Sequence, residues 1–529
     1  MDGNRLAWMP VLALLLVVPS CKVPELRGPE TGQTVPETFN GETSSENSSQ
    51  VGINEFFSDP ILTNLMEQAA IGNQGLRILG EEIQIANNEV LRRRGAFLPF
   101  VTVGGAPRLD KLSYFTLPGA DNLQNLYPGG HHFPTPLPDF MVAANVSWQV
   151  DIWHQLRNAR DAASLRYLSS IEGRNYVITR LVAEVADNYY NLLALDKRME
   201  NLDRTITLQE QSLEFAIAKF DAARLTELPV QRFRAEVRKN QSEKLIIKQE
   251  IIEAENKINF LLGRFPQPVE RSKEFFDLNL HALSVGLPSD LLHNRPDIRE
   301  AERDLEAAGL DVEVAKYNFY PKLTITGDVG YEAFNPKFLF RSPESLIYSV
   351  AGGLVSPLIN KTAIKAEYFN ANARQLQAVY NYQRVVLNAF TEVVNRVSMV
   401  QNYTKSIEIK KQQLEALEAS VSAATKLFTA ARVEYVDVLF AQRDLRDARM
   451  VLIDTKKQQL TAIVDTYQAL GGGLIPFNYP DSTFVPPAGT VVTDPGMPGQ
   501  FVPQPEPAPQ AQPEPGPALV PAAPANPNP

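Results

Sequence analysis

Cys21 is the one cysteine of the chain and the residue with the clearest covalent chemistry. Ahead of it, Arg5 is followed by the apolar run Val11-Leu12-Ala13-Leu14-Leu15-Leu16-Val17, too short to remain in a bilayer as a spanning helix. The run ends in Val18-Pro19-Ser20-Cys21, which has the form of a bacterial lipobox with an unusual proline in one slot. The chemistry expected is thioether attachment of a diacylglyceryl group to the Cys21 sulfur, cleavage before Cys21 and acylation of the new amine. Several acyl chains on one residue anchor stably, since each buried methylene contributes about 0.8 kcal/mol. The competing reading is an ordinary secretory signal with an incidental cysteine. With no second cysteine for an internal disulfide, the lipid reading is the stronger.

Other reactive groupings are weak. His131-His132 adjoin in a loop, but the five histidines do not converge as metal ligands, so neither metal nor cofactor is expected. No G-x-S-x-G, P-loop or C-x-x-C stretch occurs, and the paired carboxylates fall on solvent-like helix faces, so no enzyme is expected. A net charge of −10, with no basic stripe beyond Arg92-Arg93-Arg94, argues against a nucleic-acid partner. That arginine run reads as a solvated helix face.

The elements that would carry these residues come twice. Phe220-Asp221-Ala222-Ala223-Arg224 returns as Phe428-Thr429-Ala430-Ala431-Arg432, and Leu261-Leu262-Gly263 as Ala469-Leu470-Gly471, both about 208 residues on. Phe97-Leu98-Pro99 returns as Phe319-Tyr320-Pro321, but about 222 residues on, so one loop of the first repeat is about 14 residues longer. Such a period is far beyond solenoid units of about 20–50 residues.

Pro99, Pro321 and Pro357 read as switches between helix and strand, Pro357 at the exit of the second hairpin. Phe140, Val142, Ala144, Val146, Trp148, Val150 and Ile152 alternate with Asn145, Ser147, Gln149 and Asp151. Leu323, Ile325, Val329 and Tyr331 alternate with Lys322, Thr324, Thr326, Asp328 and Glu332, and Leu346, Tyr348, Val350 and Leu354 share one face of a return strand. This suits a membrane β-barrel strand, with a half-buried strand of a soluble sandwich as the competing reading. Only four such strands are expected, two per repeat, with outer loops around 105–139 and 333–345. Four strands cannot close a barrel, and open edges in lipid cost several kcal/mol per unpaired group. Membrane strands would therefore have to be pooled by several copies.

The rest reads as helix. One stretch is expected from Asp59-Pro60 to about Phe97, and one from Asp297 to before Pro321. Very long helices follow each hairpin: Ile178, Leu181, Val182, Val185, Tyr189, Leu192 and Leu193 keep helical spacing in the first, and Val386, Phe390, Val393, Val394, Val397 and Val400 in the second. Each reverses at its Ala-Ala-Arg segment and returns as a shorter helix. The expected divisions are a signal peptide at 1–20, a tether at 21–55, a first repeat at 56–263 (hairpin 100–152), a linker at 264–296, a second repeat at 297–473 (hairpin 322–358) and a disordered tail at 474–529. The tail holds 17 of the 39 prolines and cannot bury a core.

The segment Leu287-Pro288-Ser289-Asp290-Leu291-Leu292-His293-Asn294-Arg295-Pro296-Asp297-Ile298 resembles the LPSDLL…RRPDI linker of the TolC-like outer-membrane efflux proteins. With the Cys21 lipobox, Leu439-Phe440-Ala441-Gln442-Arg443 and the duplicated plan, the similarity covers about residues 55–475 and points to the lipoprotein branch that resembles OprM and NodT. The resemblance implies an α+β membrane protein of internally duplicated TolC-like fold. It would be a homotrimer, each chain giving four strands to a twelve-stranded outer-membrane barrel continued by a long periplasmic α-helical barrel.

The implied role is a passive exit duct, lipid-anchored in the bacterial outer membrane and served by a periplasmic adaptor and an inner-membrane RND pump. The alternatives are the same architecture in type I protein secretion, and a coiled-coil lipoprotein scaffold without a pore. By the same resemblance Asp437 falls where the family places gate carboxylates, while Phe440 and Pro229 replace two usual acids. A gate of Phe440 with an Asp437 ring is expected; the competing readings are a helix cap for Asp437 and interhelix packing for Phe440. Ala222, Ala223 and Arg224, with Ala430, Ala431 and Arg432, fall where the family meets its adaptor, or form only tight turns.

Overall fold

The computed structural model describes residues 23–30, 32, 34–39, 46–278, 280, 284–356, 361–430 and 432–475. The signal segment, Cys21, Pro357, Ala431 and the proline-rich tail from 476 lie outside the described residues.

Repetition is visible in the element lengths. A short helix α1 (Ile53–Phe57) leads to α2 (Pro60–Gly72), α3 (Gln74–Gly95), strand β1 (Phe100–Asp110), a loop carrying α4 (Leu117–Gln124), β2 (Leu126–Tyr127) and β3 (His131–His132), then β4 (Leu137–Val150), α5 (Gln155–Asp221) and α6 (Glu227–Leu261). The second half runs α7 (Asp290–Asn294), α8 (Pro296–Tyr317), β5 (Lys322–Ala333), β6 (Leu346–Val355), α9 (Thr362–Thr429) and α10 (Tyr435–Ala469). Helices α3 and α8 each have 22 residues, α5 and α9 have 67 and 68, and α6 and α10 have 35 each. At 1.5 Å per residue the long helices run about 100 Å.

Three expectations need correction. The stretch from Pro60 to Phe97 is not one helix: it breaks at Asn73, whose backbone is extended. The Asn73 side chain accepts from the Leu76 N–H at 3.2 Å and donates to the carbonyl of Leu261 at 2.9 Å, a contact 188 residues away that no local period reveals. The first outer loop is shorter than 105–139, because β1 runs on to Asp110 and β4 begins at Leu137. The stretch read from composition as a tether is, where described, laid on helices. Val23 and Leu26 pack beside Phe319, Tyr320 and Tyr368, Asn372 donates to the Arg27 carbonyl at 3.2 Å, and Phe39 stacks on Phe390 at 5.3 Å. A few apolar residues in a polar segment suffice to seat it.

Helix ends follow capping chemistry. Asp59 caps α2 by accepting from the N–H groups of Ile61 and Leu62. Gly263 and Gly471, with φ of 70° and 94°, close α6 and α10 in the left-handed conformation that glycine adopts without strain. On the α3 surface Arg92 and Arg93 pair with Glu89, and these bonds, that of Arg92 first, lower its carboxyl to about 2.

The hub is α5, which packs against α2, α3, α6, α8 and α10. Ile178, Leu181, Val182, Val185, Tyr189, Leu192 and Leu193 are all buried there. By contrast the main helical partners of α9 are α8 and α10, with a lesser contact to α7, and of its expected face Val393 alone is buried, the other five being half-buried. Duplication calls for α9–α3 and α9–α6 seams equivalent to α5–α8 and α5–α10, yet neither is among the main helix pairs of the single chain. Ile78 and Ile85 on α3, Leu245 and Phe260 on α6, and Leu387 and Ile409 on α9 stay exposed.

Candidate functional site

The four long strands form one antiparallel sheet in the order β1-β4-β5-β6. Register places Val101 with Val146, Val103 with Ala144 and Val329, Val142 with Tyr331 and Leu346, Trp148 with Ile325, and Val150 with Leu323 and Leu354. Across all four strands this face is apolar. The opposite face aligns Thr102, Asn145, Asp328 and Ser349 in one row, with Arg108 opposite Asp139 and Met141 opposite Glu332 in others. The Ser349 hydroxyl donates to Asp328, and Arg108 pairs with Asp110 at 2.6 Å. One sheet thus separates a greasy side from a wet one. From Phe140 to Val150, tilted as barrel strands are, β4 rises roughly 25 Å, the height of an outer-membrane apolar band. Among the described residues no helix is long and apolar enough to cross a membrane.

At the outer end the two loops meet through rings. Tyr127 lies 4.9 Å from Phe334, Phe133 5.2 Å from Phe334, and Phe334 5.6 Å from Phe338. His131 leans on Tyr127 at 5.7 Å, and no group of potential metal ligands gathers among the described residues.

The strand-to-helix junction lies at the other end. Pro99 and Pro321 immediately precede β1 and β5. Trp148 donates its indole N–H to the Phe97 carbonyl at 3.0 Å, and Trp153 donates to the Pro321 carbonyl at 2.7 Å. Gln155 opens α5 by donating to Val314 and Asn318 at 3.2 and 2.8 Å. Sequence reasoning placed Trp148 on the strand but missed that both indoles tie strand ends to the preceding helices. Two tryptophans five residues apart at a strand exit were the available signal.

The helical tips lie about 100 Å away along α5. Ala222 ends α5, Ala223 takes φ of 55°, and the Arg224 N–H donates to the Lys219 carbonyl at 2.8 Å while that of Ala223 reaches Phe220 at 2.8 Å. This paired closure normally uses glycine at the left-handed position. Ala430 ends α9 in the same way, with the Arg432 N–H on the Leu427 carbonyl at 2.9 Å. The two reversals are joined by Lys219. Its Nζ donates to the Phe428 carbonyl at 3.1 Å and lies 4.7 Å from the Phe215 ring and 4.5 Å from that of Phe428. Nothing in the sequence announces this clasp.

Asp437 sits in the first turn of α10 in a capping box: its carboxylate accepts from the Glu434 N–H at 3.3 Å, and the Glu434 side chain caps Asp437 in return. Phe440, three residues on and on the same side of the helix, is 52% exposed, with the Arg443 guanidinium 5.6 Å from its ring centre. Pro229 is buried at the start of α6.

The comparisons agree with this geometry. A family model described as outer membrane efflux protein matches residues 65–264 and 287–472, one stretch per repeat. The solvent efflux pump outer membrane protein SrpC of Pseudomonas putida is 25% identical over 474 residues, covering 88% of this chain and 98% of its own. The cation efflux system protein CusC of Escherichia coli K12 is 25% identical over 431 residues (81% and 90%), and the pyoverdine export outer membrane protein OpmQ of Pseudomonas aeruginosa 27% over 428 (79% and 86%). Among solved structures, the outer-membrane channel OprN superposes with a TM-score of 0.75 at 23% identity, covering 85% of this chain and 99% of that one; a CusC structure gives 0.74 at 24%, with the same coverage. The fold is therefore that of the TolC-like outer-membrane channels, and the chain belongs to the outer membrane efflux protein family.

Proposed function

We propose that this protein is the exit duct of a tripartite efflux system, a homotrimer passively conducting small molecules handed over by an inner-membrane RND pump through a periplasmic adaptor. The observation that carries the reading is the sheet, apolar on one face and polar on the other across four strands, with both edges unpaired. Four strands cannot seal against lipid, and α9 lacks two of the seams its twin α5 has. Sister copies would supply both: β6 of one would pair with β1 of the next, and α9 of one would fill the α3–α6 flank of its neighbour.

Lipidation at Cys21 fits the placement of the residues just after it. Val23 and Leu26 lie beside Tyr320 and Ile364, at the level where the strands give way to helices, so an acylated Cys21 would meet the inner leaflet of the outer membrane. Residues 1–20 are then the lipoprotein signal, 56–263 and 297–473 the two duct-building repeats, 264–296 their linker and 474–529 the proline-rich tail.

The reversals at Ala222, Ala223, Arg224, Ala430, Ala431 and Arg432 are proposed as the adaptor contact. Phe440 and Asp437 are proposed as the periplasmic gate, Phe440 supplying the constriction and Asp437 a carboxylate in each subunit beside its capping role. SrpC, CusC and OpmQ are named for solvent efflux, cation efflux and pyoverdine export, so the protein-secretion alternative gains no support from them. The test is reconstitution of the purified protein in planar bilayers. Trimers with a discrete conductance that rises when Asp437 and Phe440 are both replaced by alanine are the expected result; a detergent-stable monomer without conductance would sink the reading. Cys21→Ser should abolish lipidation and leave trimers intact.

A further inference from the structure

The α5–α8 seam holds a carboxyl group in a notch. Glu300 of α8 lies over Gly173, a glycine in the interior of a 67-residue helix, where it costs about 1 kcal/mol against alanine. A Cβ at Gly173 would stand 2.9 Å from Glu300 Oε1 and 3.1 Å from its carboxyl carbon. The missing methyl is the space the carboxyl needs.

Among the described residues, the charges that bear on this group include no cation. Arg299, its neighbour on α8, is held by Glu172 at 2.8 Å, and Arg303 by Glu306 at 3.2 Å. The charges that act on Glu300 are Asp304 and Asp297 on its own helix and Glu172 on α5, all negative. Helix α9, also packed on α8, adds none to that set, and its Glu392 is engaged by Arg295 at 3.0 Å. Burial first, then these three carboxylates, push Glu300 up to about 7. In the first repeat the equivalent position of α3 is Ile78, exposed in the single chain. An apolar contact site in one repeat has become an ionisable one in the other.

We propose that Glu300 and Gly173 form a proton-operated catch between the two repeats: the neutral carboxyl seats in the notch and tightens the α5–α8 seam, and the anion, facing only negative neighbours, leaves it. The proton exchanges with solvent, and no other reactant is needed. Neutral-range pH thereby sets how firmly the second repeat is held against the first. This concerns a seam inside one chain and stands independently of which pump or cargo the protein serves.

The test is an infrared difference spectrum of the full chain in detergent, pH 8 against pH 6. Wild type should lose protonated-carboxyl absorption, Glu300→Gln should lack that component, and Asp187→Asn should retain it. A spectrum of Glu300→Gln identical to wild type overturns the assignment. Gly173→Ala fills the notch and should lower the midpoint of the Glu300 component by about one pH unit, a tenfold change in proton affinity. An unmoved midpoint overturns the role of the notch even if Glu300 titrates.

Discussion

Arg295 closes the end of α10 by donating to the carbonyl of Ala469 at 2.7 Å, as Asn73 does for Leu261 at the equivalent place in the first repeat. The same guanidinium, 1% exposed, reaches Asp297 through two bonds of 3.0 and 2.8 Å and Glu392 through one of 3.0 Å. The Arg-Pro-Asp-Ile segment is therefore a joint: it fixes the linker to α9 and α10 before α8 begins.

Replacing Arg295 with alanine leaves Glu392 and Asp297 without their cation in a buried setting. Loss of one partner of a buried pair typically costs about 3–5 kcal/mol. Denaturant unfolding should show a loss of that order for Arg295→Ala. Arg295→Lys should recover only part of it, since an ammonium cannot reproduce the forked bonds.

Trp148→Phe keeps the apolar ring and removes the bond to Phe97. The expected cost is about 1 kcal/mol, read as a lower heat-dissociation temperature of the assembled protein. A Trp148→Phe protein as stable as wild type would show that the junction is held by packing alone.

Ala223 carries a side chain at φ of 55°, so Ala223→Gly should be neutral to stabilising by up to about 1 kcal/mol, while Ala223→Val should destabilise. Thermal scans of the two variants beside wild type decide this. If glycine proves the worse residue, the reversal is not strained as its backbone indicates.

Lys219→Met preserves length and removes the charge between the Phe215 and Phe428 rings. Such contacts are worth about 0.5–2 kcal/mol. The two hairpin ends should separate more readily, seen as higher or noisier single-channel conductance, with Lys219→Arg closer to wild type.

Asp187 lies in the α5–α10 seam with one carboxylate oxygen buried and unpartnered. Burial, then the charge of Asp465, pushes it up to about 7. The folded chain thus keeps a proton that the unfolded chain releases near pH 4, so stability falls as pH rises from about 4 to about 7 and is level above. In Asp187→Asn that part of the decline should vanish when unfolding midpoints at pH 5 and pH 8 are compared.

Legibility followed the range of the forces involved. Period two is local, and the alternation from Phe140 to Val150 gave both strand and face. The long helices were equally plain, because apolar spacing in α5 persists for many turns without proline. The break at Asn73, the clasp of Lys219 and the joint at Arg295 depend on partners 188, 209 and 174 residues away, so local pattern is silent about them. Asp437 shows the limit from the other side: its capping bond lies within three residues, yet whether it also faces a pore depends on sister subunits.

The unequal company kept by α5 and α9 bears on biogenesis. The first repeat's long helix finds its neighbours within its own polypeptide and can mature as soon as that chain is exported. In the proposed trimer the second would present uncovered apolar stripes until siblings arrive, which makes the solitary subunit a sticky intermediate at risk of clumping. For that trimer, dilution or slow synthesis should therefore harm yield more than modest heating of the finished assembly.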